Sequence, residues 1–166
     1  AAGLVHVPQL RILAIGGNTI GDEGAIAVAS TLAHVPLLER LDIYQNGIGA
    51  VGSRVIVAAL HHVPRLKYLS MRNCNLRDRG ARAIAASMPS LPQLEELHLG
   101  GNDIGVAGLQ ALAGALFHAP QLMIVDARDY SVREQVDGAE ALRHLCTLIH
   151  EPDGIDRLME LAGDFP

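Results

Sequence analysis

The chain has 166 residues, 49% of them apolar but only 3% aromatic, and a formal net charge of −5. That acidity excludes a general nucleic-acid binder, which needs a net basic surface to displace counterions. Two cysteines, Cys74 and Cys146, make neither a disulfide framework nor a zinc spacing, and no apolar run approaches the ~18 residues that span a bilayer, so a soluble protein of a reducing, cytoplasmic compartment is expected.

Taken in chain order, residues 4–8 (LVHVP) match residues 32–36 (LAHVP), so the chain opens in the tail of a repeated unit and further repeats are expected upstream of Ala1. Leu10, Leu38, Leu66, Leu94 and Leu122 then open units spaced 28 residues apart, each with Leu or Val three positions later. A fixed period of this length marks one elongated array. In the first unit Leu13 and Ile15 alternate with outward residues, the two-residue period of a half-buried strand; Leu41/Ile43, Leu69/Met71 and Leu97/Leu99 repeat it. From Asp22 to about His34 the period becomes helical, with Gly24, Val28, Thr31 and Leu32 on one face, and Pro36 follows. Each unit is therefore a strand, a turn and a helix, and the small residues at Ala27, Val55, Ala83 and Ala111 and at Ala29, Val57, Ala85 and Ala113 let neighbouring helices pack closely.

Asn18, Asn46 and Asn102 share one column with Cys74, directly after the strands. A short polar side chain is needed there to bond turn amides and carbonyls that the next layer shields from water; Cys74 stands in as a weaker donor. The column Gly21, Gly49 and Gly105 eases the turn into each helix, and Arg77 interrupts it, so the third unit is expected to differ locally. Residues 65–82 hold six of the thirteen basic residues, whereas residues 126–166 carry ten acids against four bases. Beyond residue 126 the pattern decays: Tyr130 takes the Asn column and Val136 the Gly column, while Val136, Ala139, Leu142, Leu145, Cys146 and Ile149 share a helical face. Residues 1–132 are read as repeats and 133–166 as a C-terminal helical cap, which a solenoid needs to cover its last layer.

The segment from Leu94 to Gly108, LEELHLGGNDIGVAG, resembles a leucine-rich repeat, L-x-x-L-x-L-x-x-N-x-I-x-x-x-G, and the unit length resembles the ribonuclease-inhibitor-like subclass. The resemblance implies an α/β solenoid, a fragment of a horseshoe with parallel strands on its concave face and helices on its convex face. It covers four nearly complete units and a fifth strand.

No catalytic triad order, phosphate loop or metal spacing is present, so an enzyme, a cofactor and a bound metal are not expected. His6, His34, His62 and His118 share a column, but adjacent helices lie ~8–10 Å apart, too far for joint coordination at ~2.1 Å; they read as polar helix ends. His61 and His62 are expected to diverge. Function is instead expected on the outward strand positions: Ile12, Arg40, Tyr68, Glu96 and Ile124; Ala14, Asp42, Ser70, His98 and Asp126; Gly16, Tyr44, Arg72, Gly100 and Arg128. Tyr44 and Tyr68 lie beside Arg40 and Arg72, and Tyr and Arg are enriched at binding hot spots. Two readings stay open. The cluster is ordinary surface, with Arg40 paired to Asp42 or Glu96 and Tyr68 flat on its neighbours, or it is the centre of a protein-binding face made by Arg40, Asp42, Tyr44, Tyr68, Ser70, Arg72, Glu96 and His98. In the second, Gly16, Gly17, Gly100 and Gly101 leave the surface open on both sides.

The favoured expectation is thus a protein-interaction module within a larger intracellular protein, with no nucleic-acid or membrane partner. The family includes the Ran GTPase-activating protein, so the resemblance also permits a GTPase activator using Asn46, Asn73 and Arg72. End-to-end self-association through the amino-terminal edge is a third possibility.

Overall fold

A computed structural model describes residues 6–127. The expected cap at 133–166, with Arg128, Tyr130, Val136 and Cys146, lies outside the described residues. Apolar residues at strand and helix periods collect into one slab, with the sheet on one side and the helices on the other. The order is β1 (Ile12–Ala14), α1 (Gly21–Leu32), β2 (Arg40–Asp42), α2 (Ala50–Ala59), β3 (Tyr68–Ser70), α3 (Arg77–Ser87), β4 (Glu96–His98), α4 (Val106–Ala115) and β5 (Ile124–Asp126). Short 3-10 turns, Leu60–His62, Met88–Ser90 and Leu116–His118, extend α2, α3 and α4.

All five strands form one parallel sheet in chain order. Parallel neighbours require a crossover, and each helix supplies one. The register places Leu13, Leu41, Leu69, Leu97 and Val125 side by side, so the repeated leucines form a continuous inward ridge. Leu41, Ile43, Leu69, Met71, Leu97 and Leu99 are fully buried against Leu32, Ile56, Leu60, Ile84 and Met88.

The turns after the strands are held by the Asn column. Asn46, fully buried, donates from Nδ2 to the carbonyls of Ile15 (2.9 Å), Ile43 (3.0 Å) and Tyr44 (3.3 Å) and accepts at Oδ1 from the Asn18 amide (3.1 Å). Asn102 does the same between the third and fourth units, donating to Met71 and Leu99 and accepting from the amides of Cys74 and Leu76. Cys74 donates from Sγ to the carbonyls of Ile43 (3.6 Å) and Arg72 (3.5 Å), while Ser53 Oγ, also buried, donates to the Cys74 carbonyl (2.6 Å). Asn46, Asn102 and Cys74 each tie their own turn to the preceding one, and Ser53 ties α2 to the turn that follows it. Just after the strands, Gly17, Gln45, Asn73 and Gly101 share a column in the left-handed backbone region, with φ between 48° and 71°.

The chain also has a longer period. Asp22 Oδ1 accepts from the amides of Gly49 and Gly52, both at 2.8 Å, so α1 caps the start of α2. Fifty-six residues later Asp78 Oδ1 caps α4 through Gly105 (2.7 Å) and Gly108 (3.1 Å). These carboxylates satisfy amides that a helix start leaves without partners. A Cβ on Gly52 would lie 2.6 Å from Asp22 Oδ1 and 2.7 Å from Ala25 Cβ, so only glycine permits the approach. The corresponding first-turn position of α2 is Ala50, and α2 and α3 pack less extensively than the pairs α1/α2 and α3/α4. Ion pairs Arg11–Glu39 (2.8 Å) and Lys67–Glu95 (3.5 Å) fall within the same doublets.

This doublet pattern corrects the expectation that Arg77 makes the third unit irregular. Arg77 (φ 51°) adopts the backbone of Gly21 (φ 60°), and its amide donates to the Asn102 carbonyl as that of Gly21 does to Asn46. Gly49 and Gly105 are instead extended, at φ −90° and −84°. The small columns contribute as expected, with Ala29, Val57 and Ala85 buried, but the closest helix approach is at Gly52 and Gly108.

Asn46→Ala and Asn102→Ala should each cost about 2–3 kcal/mol in urea unfolding, because several buried turn groups lose their partners. Asn18→Ala should cost less, since Asn18 is exposed, and Asp22→Ala about 1 kcal/mol through the lost cap. Equal losses for Asn18 and Asn46 would contradict this hierarchy.

Candidate functional site

Strand alternation puts all eight expected site residues on the outer face of the sheet, on β2, β3 and β4 or just beyond their ends. The structure joins five of them into a chain of contacts. Arg40 Nη2 donates to Asp42 Oδ2 at 3.0 Å, and the Arg40 guanidinium carbon lies 3.6 Å from the centre of the Tyr68 ring. Tyr68 is in turn 5.0 Å from the His98 ring, and His98 Nε2 is 3.0 Å from Glu96 Oε2. A cation over an aromatic face gains from the ring quadrupole. Held at one end by Asp42 and at the other by Glu96, three planar groups follow one another across three strands. Arg40 has taken the first of its two expected acids.

The remaining residues lean away from this centre. Arg72 reaches from the end of β3 past β4 to Asp126 on β5, with Nη1 3.2 Å from Oδ2. Gly100 is buried between them in sequence position. On the other side Tyr44 lies over Gly16, where a Cβ would stand 2.1 Å from the ring carbons. The glycine flanks are therefore not open. Tyr44 covers Gly16, and Asn73 lies where a Gly101 Cβ would be, 2.1 Å from its Oδ1. Glycine on one strand gives a bulky residue on the next a place to lie flat.

Asp42, Ser70 and Asp126 are nearly buried despite facing outward, at 8%, 2% and 8% exposure. Asp126, absent from the candidate set, was within reach of sequence reasoning: it occupies the same outward position as Asp42 and His98, and Arg72 needed an acid. The trio suggested for a GTPase activator does not survive as a unit. Asn46 is fully buried in the turn network and Arg72 is engaged with Asp126, leaving Asn73 as the exposed member.

The histidine column behaves as helix ends, with His6, His34, His62 and His118 all exposed. His61 and His62 do not diverge, however. Their rings lie 3.9 Å apart because they sit in a 3-10 turn, tighter than an α-helix, and Phe117 and His118 pack the same way at 3.8 Å. Among the described residues no three or more His, Cys, Asp or Glu side chains gather into a metal site, and no helix is long and apolar enough to cross a membrane.

A family model described as Leucine Rich repeat matches residues 8–29, 64–85 and 91–113. The chain carries leucine-rich repeats. Among solved structures, this leucine-rich repeat array is similar to leiomodin-1 actin-binding site 2, with a TM-score of 0.66 at 12% identity, covering 98% of this chain and 96% of that one. That likeness is one of fold. No curated protein matches the sequence.

Burial pushes the Cys74 thiol up to about 12, so the thiolate needed for nucleophilic chemistry is absent at neutral pH. In a Cys146→Ser background, Cys74 should resist iodoacetamide at pH 8 in the native protein and react fully in urea. The folded state holds this proton more tightly than the unfolded state, so the thiol's contribution to stability should be intact below about pH 9 and be lost as pH rises from about 9 to about 12. Rapid native alkylation would contradict the buried role.

Proposed function

We propose that the protein is a non-enzymatic interaction module that grips a protein partner on the concave face of its sheet, centred on Tyr44, Tyr68 and Arg72. The observation that carries this reading is the pre-ordering of the surface: Arg40, Tyr68 and His98 are fixed by one another, by Asp42 and by Glu96. Side chains already immobilised lose little freedom when a partner docks. Tyr44 adds an exposed aromatic beside them. A cytoplasmic setting belongs to the same reading, with Cys74 a free thiol.

The similar leiomodin-1 segment is named for actin binding, so actin is the first protein to assay, by co-sedimentation, alongside affinity capture from a cell extract. Tyr44→Ala, Tyr68→Ala and Arg72→Ala combined should remove capture of the specific partner while circular dichroism and the urea midpoint show a folded chain. Undiminished affinity in the triple variant would move the binding face elsewhere.

A second reading is end-to-end assembly. β1 pairs with β2 on one side and is the edge of the described sheet, and Ile12 on it is 60% exposed. Light scattering across a concentration series should then show mass increasing with concentration, and an Ile12→Lys variant should remain monomeric. A constant monomer mass for the unaltered chain would remove this reading.

A further inference from the structure

One polar atom on the outer face of the sheet is left without a partner. Asp42 Oδ2 holds Arg40, but Oδ1 is buried and makes no hydrogen bond among the described residues. Burying a carboxylate oxygen without a hydrogen bond is costly, and the cost is recovered if a binding partner supplies a donor.

The surroundings of Asp42 fit such a donor. In the register of the sheet its neighbours are Ala14 and Ser70, two of the smallest side chains on this face. The larger residues around it are drawn elsewhere: Arg40 onto the Tyr68 ring, Arg72 to Asp126, and Tyr44 over Gly16. Oδ1 is closed off in the free protein, so an incoming group must displace a neighbour. Tyr44, the next outward residue along the chain, is 38% exposed and lies flat on a glycine, which leaves its ring free to swing aside.

We propose that Asp42 anchors a neutral hydrogen-bond donor of the partner, a primary amide of the Asn or Gln kind, on the outer face of β2. This rests on the concave-face reading above and adds the chemistry recognised there. Charge selects the amide over a lysine or arginine. Arg40 already balances the Asp42 carboxylate and Asp126 already holds Arg72, so an ammonium or guanidinium would find no uncompensated carboxylate there to offset its loss of hydration. An amide brings the N–H without the charge. Its carbonyl oxygen then meets a hydroxyl, because Ser70 lies across from Asp42 on the adjacent strand, a spacing of ~4.8 Å.

The test uses the full chain and two small probes, propionamide and n-butylammonium, followed by ¹H–¹⁵N correlation spectra. Propionamide should shift the amide signals of Asp42, Ile43, Ser70 and Met71 saturably, n-butylammonium should shift them less, and Asp42→Ala should lose the propionamide response while keeping a dispersed, folded spectrum. Absence of these shifts, a stronger response to n-butylammonium, or an undiminished response in Asp42→Ala would overturn the proposal. Partner capture separates this idea from the one it rests on. If the Tyr44/Tyr68/Arg72 triple variant loses the partner but Asp42→Ala keeps full affinity, the concave face stands and the anchor falls; if both capture normally, both fall.

Discussion

Stacking thin layers creates a problem that every other feature answers: the turn leaving each strand is pressed against the next layer, where water cannot reach its amides and carbonyls. Asn46 and Asn102 resolve it by spending one side chain on several backbone groups from two successive turns. The requirement is severe because those groups sit beside fully buried Ile43, Met71 and Leu99. Sheet register, the left-handed turn backbone and the level of the helices all follow from keeping that amide within reach of both turns.

Cys74 shows how the requirement relaxes. Its sulfur reaches two carbonyls at 3.5 and 3.6 Å but offers no oxygen to the neighbouring turn amide, the role that Asn46 Oδ1 plays toward Asn18. This weaker joint falls between the second and third units. There the helices also pack less extensively and no aspartate spans from one helix to the next helix start. Turn, helix cap and helix packing therefore agree on where the array is less tightly joined, and the Ser53 hydroxyl on the Cys74 carbonyl is the extra polar tie at that joint.

Much of the fold was legible because a 28-residue period needs no tertiary information: the leucine columns, the strand and helix faces and the structural part of the Asn column all follow from spacing. The doublet was present too, in Asp22 and Asp78 and in the alternation of Arg11, Glu39, Lys67 and Glu95, but a search at 28 averages over it. For the site, the sequence placed Arg40, Asp42, Tyr44, Tyr68, Ser70, Arg72, Glu96 and His98 on one face without showing which way each side chain leans. Leaning depends on the size of neighbours in register, which is why Gly16 was read as open space when it is the bed of the Tyr44 ring. Likewise His61 and His62 were assigned to an α-helix, whereas the tighter turn brings their rings together.

The Asp22 and Asp78 contacts bear on how such a chain can grow or shrink. Removing a single 28-residue unit would place the α1 carboxylate against the start of α3, where the left-handed Arg77 occupies the helix start in place of the extended glycine that donates at Gly49 and Gly105. Removing 56 residues would restore the same kind of junction. The visible repeat is therefore half of the smallest piece that can be duplicated, deleted or spliced with its joints intact, and a library of shortened or lengthened arrays should be cut at every second unit.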